Sequence, residues 1–108
     1  MKIIDIHTTI TTDQLYAILQ QKLNPQFQRQ RQSNISFTIK NTGSAIEITE
    51  PELYEGFLFR IEIKETELMI TRDDDYVDDV NALTVESILY ELFAELAGEE
   101  GITFVLEG

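Results

Sequence analysis

The sequence predicts a two-layer α+β domain: a mainly antiparallel sheet of about five to six strands with two helices packed on one face, in the order β-α-β-β-β-β-α-β. Three observations carry that expectation. Two stretches repeat apolar residues at helical spacing, short stretches elsewhere alternate them at period two, and the helical stripes have only one apolar sheet face to cover. The 108 residues, 43% hydrophobic and 26% charged, suffice for one core without staples. No composition break or internal repeat divides them, so 1–108 is read as a single domain.

Residues 2–6 form the first strand, with Ile4 and Ile6 on one face and Ile3 on the other. Thr11-Thr12-Asp13-Gln14 is a capping box, with Ile10 and Leu15 at the positions of a hydrophobic staple. Leu15, Ile18, Leu19 and Leu23 follow at helical spacing until Asn24-Pro25, which predicts a helix over about 11–24. Gln26 to Gln32 alternates at period two with Phe27 as its only apolar residue, the pattern of a mobile loop or a polar edge strand. Ile35, Phe37 and Ile39 alternate with polar residues, Asn41-Thr42-Gly43-Ser44 makes a turn, and Ile46 and Ile48 complete a hairpin. After a loop through Pro51 to Gly56, Phe57, Phe59, Ile61 and Ile63 line one face of a strand, with Leu58, Arg60, Glu62 and Lys64 opposite. A tight link at Glu65-Thr66 leads to a strand with Leu68 and Ile70 on the apolar face and Met69 and Thr71 on the other. The second helix carries an unbroken stripe, Val85, Ile88, Leu89, Leu92, Phe93, Leu96 and Ala97, and ends at Gly98, a residue suited to a left-handed terminus. Ile102, Phe104 and Leu106 form the last strand.

Several function classes are excluded outright. Without cysteine there is no disulfide framework, thiolate nucleophile, Cys-type zinc site or iron–sulfur cluster. Asp5 and His7 interrupt the first apolar run, so it lacks a signal-peptide core, and no run approaches the roughly 20 residues that span a bilayer. A cytoplasmic protein without membrane attachment is the expectation. Net charge is −12 and lopsided: residues 1–50 sum to +1 and residues 51–108 to −13. Such a field repels phosphates and anionic lipid and attracts cations or basic proteins, which argues against direct nucleic-acid binding.

The run Asp73-Asp74-Asp75-Tyr76-Val77-Asp78-Asp79 is the most unusual feature. An EF-hand loop needs glycine sixth and glutamate twelfth; from Asp73 those places hold Asp78 and Thr84, and from Asp74 they hold Asp79 and Val85. A solvated loop whose last acids face the positive end of the second helix is the simpler reading, with weak divalent-cation binding as an alternative. His7 is the only histidine and stands near Asp5, but no Gly-x-Ser-x-Gly elbow accompanies it. The scattered glycines form no phosphate-cradling loop. The pairs Glu62 with Glu67 and Glu91 with Glu95 mean little among 20 acids. Arg29 and Arg31 form a small basic stripe suited to an acidic patch on the same chain or on a second copy.

No residue is therefore assigned to catalysis, a cofactor or a resident metal. The best functional expectation is a small acidic, non-catalytic protein-binding module, of inhibitor, immunity or chaperone type, docking on a basic partner. Its candidate contact residues are Asp73, Asp74, Asp75, Tyr76, Asp78 and Asp79 of the acidic run, together with Tyr54, Leu58 and Met69 as surface apolar groups. A homodimeric or larger assembly subunit is the alternative of a different class.

Overall fold

The structure, a computed structural model, describes residues 1–107. Its elements are β1 (Lys2–Asp5), α1 (Thr12–Arg31), β2 (Thr38–Asn41), β3 (Ile46–Thr49), β4 (Phe57–Lys64), β5 (Glu67–Arg72), α2 (Val80–Ala97) and β6 (Thr103–Glu107). Short 3-10 turns occupy Asp74–Tyr76 and Gly98–Glu100. The expected element order holds. All six strands form one antiparallel sheet in the order β2-β3-β4-β5-β1-β6, so the first strand lies inside the sheet, between β5 and the last strand. Leu15, Leu19, Leu23 and Phe27 of α1 and Val85, Ile88, Leu89, Leu92 and Phe93 of α2 share one core with Ile4, Ile46, Ile48, Phe59, Ile61 and Leu68 of the sheet.

The capping box at Thr11 forms as its residues require: the Gln14 amide donates to the Thr11 hydroxyl, and the Gln14 side chain accepts from the Thr11 amide. The expected end at Asn24-Pro25 is corrected, because α1 runs through Pro25 to Arg31. Residues 26–31 are therefore helix rather than loop or edge strand. Proline lacks the donor for a bond to the carbonyl four residues back and disfavours helix at the residue before it. The core offsets this local cost. Phe27 continues the four-residue spacing of Leu15, Leu19 and Leu23, is fully buried, and meets Phe37 edge-on at 4.8 Å between ring centroids.

Amide side chains of α1 also hold the chain along β2. Asn24 accepts from the Phe37 amide at 2.7 Å and donates to the Phe37 carbonyl at 2.9 Å. Gln28 donates to the Ile35 carbonyl and Gln20, at a long 3.5 Å, to that of Ile39. Asn41 reaches Asp13 at the start of the helix. Of these bonds only that from Gln20 reaches the backbone of β2 itself; those from Asn24 and Gln28 hold the segment that leads into it, so α1 anchors the entry to this edge strand.

The strict alternation expected in β4 fails at one point. Ile48 pairs with Phe59 while its successor Thr49 pairs with Phe57, which leaves Leu58 as the extra residue of a bulge. Leu58 and Phe59 are both fully buried, so the expectation that Leu58 sits on the outer face is overturned. Met69 does lie there, half-buried, opposite Ile3 and Glu62.

Candidate functional site

The acidic run joins β5 to α2, and its ends are built into the framework. Asp73 accepts from the Asp75 amide and caps the short turn that follows. Asp79 caps α2 by accepting from the Ala82 amide at 3.0 Å, which satisfies an otherwise unpaired donor of the first helical turn. The same Asp79 oxygen accepts from the Tyr54 hydroxyl at 2.8 Å, and Asn81 donates to that hydroxyl. Tyr54 is 5% exposed and meets Tyr76 edge-on at 4.7 Å. The Tyr76 hydroxyl in turn accepts from the Glu55 amide. Burial, with further contributions from Asp79, pushes the Tyr54 phenol above its ordinary pKa.

Tyr54 is thus a clamp between the Gly56 turn and α2, not the surface aromatic that the sequence suggests. Asp73, Asp79, Tyr54 and Tyr76 fix the loop, while Asp74, Asp75 and Asp78 are exposed along it. Among the described residues no lysine or arginine side chain pairs with these three: Lys2 and Arg72 go to Glu86, Lys22 to Glu95, and Arg60 to Glu47 and Glu62. Arg29 and Arg31, which suit an acidic patch by sequence, lie in the last turn of α1 and form no ion pair among the described residues. Their charge there opposes the negative end of the helix dipole.

Three exposed aliphatic residues stand beside the acids and were not singled out by the sequence pattern. Val77, Val80 and Leu83 are 39%, 53% and 46% exposed, beside the exposed acids in sequence. Their signal is present, since Val80 and Leu83 fall outside the apolar stripe that begins at Val85. Together the loop and the first turn of α2 present aliphatic side chains among carboxylates, the composition of a protein-docking surface more than of a reaction centre.

His7 occupies a separate place, at the end of β1. Its backbone is left-handed, with φ of 60°, so it departs from the strand direction. Nε2 hydrogen-bonds Thr103 Oγ1 at 2.9 Å, and Nδ1 lies 3.4 Å from Glu100 and 3.8 Å from Asp5. The His7 amide donates to Asp5, and this bond, with the Thr66 hydroxyl next in weight, holds the Asp5 carboxyl below its ordinary pKa. The cluster ties β1 to the start of β6 and sets the Thr103 hydroxyl against one ring nitrogen and the Asp5 and Glu100 carboxylates near the other. Among the described residues no group of three histidine, aspartate or glutamate side chains is placed to hold a metal ion, and no helix is long and apolar enough to cross a membrane. Comparison of the chain with protein-family models, curated proteins and solved structures finds no match in any of the three.

Proposed function

We propose that the chain is a non-catalytic binding module that docks on a basic protein through its acidic loop and the first turn of α2. The observation that supports this most is the pairing of exposed Asp74, Asp75 and Asp78 with exposed Val77, Val80 and Leu83 on a framework that other acids already hold in shape. The two kinds of group act at different ranges. A net charge of −12 steers a cationic partner from beyond contact, over a screening length of about 10 Å at 0.1 M salt. The aliphatic side chains contribute only after contact, by leaving water.

The test is capture from lysate of the source organism at low salt, followed by a step to high salt, with wild type beside D74N/D75N/D78N. The expected result is a stoichiometric basic protein that salt releases and the triple variant fails to retain. A lane holding bait alone, or capture indifferent to both salt and the substitutions, would overturn the reading.

A further inference from the structure

The two edges of the sheet are treated differently. Amide side chains of α1 hold the segment that leads into β2, whereas among the described residues β6 pairs only with β1, and all its residues, Thr103 to Glu107, are exposed. Phe104, Val105 and Leu106 keep 46%, 51% and 49% of their surface in water, an apolar run on an open edge. A bulge between Ile3 and Ile4 lets this strand show apolar groups to both sides. Phe104 pairs with buried Ile4 and meets Tyr90 of α2 at 5.9 Å on the helical side, while Leu106 pairs with Ile3, which pairs in turn with Met69 on the outer side. An added strand would therefore find apolar neighbours for its side chains in both directions, beside unpaired backbone groups.

We infer that β6 is a strand-addition site for an extended segment carrying alternate apolar and basic residues. The basic character rests on the function proposed above and on the local charge. Glu107 lies on the strand, Glu99 and Glu100 just precede it, and Asp5 and Glu67 follow one another across the neighbouring strands. In the sheet register Lys2 stands opposite Glu107 and Lys64 opposite Glu67, but the Lys2 ammonium is drawn to Glu86 and the face of Tyr90, and Asp5, Glu99 and Glu100 face no lysine or arginine there among the described residues. A second copy of the chain would bring the same carboxylates and another charge of −12 to this edge, which disfavours self-pairing. Main-chain bonds to β6 supply affinity, and the basic groups of the incoming segment meet the acidic surround.

The probe is a synthetic peptide of about eight residues alternating lysine and valine, long enough to pair with the whole strand. Three peptides complete the set: the same sequence N-methylated at every second residue, in the two registers, and a glutamate–valine version. Binding is followed by NMR amide exchange on the full chain. The lysine–valine peptide is expected to slow exchange at residues 104–106, one N-methylated register to lose that effect, and the glutamate peptide to bind much more weakly. V105T/L106T should weaken binding about threefold or more without changing charge.

Equal binding by both N-methylated registers, or protection confined to 73–79, would refute strand addition while leaving docking at the acidic loop intact. Equal binding by the glutamate peptide would refute the basic partner class at this edge. A concentration-dependent dimer that V105T/L106T dissolves would overturn the inference by assigning the edge to a second copy. Loss of capture in D74N/D75N/D78N with unchanged peptide protection at β6 would show that the loop and the edge act separately.

Discussion

Asn24→Ala probes the contact by which α1 anchors the segment entering β2. The substitution removes both hydrogen bonds between the Asn24 amide and the Phe37 backbone, at 2.7 and 2.9 Å. Phe37 is only 4% exposed, so water has restricted access to the released amide and carbonyl. Two net hydrogen bonds at about 0.5–1.5 kcal/mol each amount to about 1–3 kcal/mol, and the better helix propensity of alanine returns about 0.7 kcal/mol. The expected loss is about 0.3–2.3 kcal/mol, or a fall in Tm of about 1–18 °C. Urea unfolding followed by circular dichroism measures it, and the m-value should stay constant because the surface exposed on unfolding hardly changes. Asn24→Asp refines the test. It keeps an acceptor for the Phe37 amide but turns a lone pair towards the Phe37 carbonyl, so the amide should stay slow to exchange although the protein is weakened. Stability of Asn24→Ala within about 0.3 kcal/mol of wild type, together with an equally protected Phe37 amide, would refute the idea that this clamp secures the entry to the edge strand.

Three further predictions follow from single sites. Pro25→Ala should restore a backbone donor inside α1 and raise stability by about 1–3 kcal/mol in the same urea experiment; a loss would mean that the proline ring packs productively. Among the described residues the buried Tyr90 hydroxyl has no well-formed hydrogen bond, only a weak interaction with Lys2, and burial raises its pKa, so Tyr90→Phe should stabilise by about 1 kcal/mol, whereas a clear loss would show that Lys2 satisfies it. The Asp5 carboxyl is held below its ordinary pKa in the fold, so its stabilisation is complete above the unfolded-state value and disappears as pH falls through the lower folded value. Acid titration of stability from roughly pH 4 downward should therefore show a shallower fall in Asp5→Asn than in wild type, and identical curves would exclude this contribution.

Much of the architecture was legible because its signals are local. A capping box, period-two runs and the stripe from Val85 to Ala97 each specify an element from neighbours in the chain, and a single apolar sheet face leaves little choice about where two helices lie. Two departures have non-local causes. Asn24-Pro25 is a local stop, and only the arrival of Phe37 and the backbone of residues 35–39 makes continuation to Arg31 favourable. Leu58 obeys alternation until β3 imposes a bulge on β4, which no pattern within 57–64 announces. At the candidate site, charge and composition pointed to the acidic loop. They could not separate Asp73 and Asp79, which support the structure, from the exposed Asp74, Asp75 and Asp78, because that division depends on which backbone amides lie within reach.

The unequal edges of the sheet also limit how far any assembly built on it can grow. A sheet open at both margins is a repeating unit: each molecule accepts a neighbour on one side and offers itself on the other, and the series has no natural end. Here α1 packs along β2 and ties down the chain that leads into it, so the two margins are not interchangeable. If β6 takes an added strand as proposed above, association by that route is expected to stop at a pair rather than propagate into a filament.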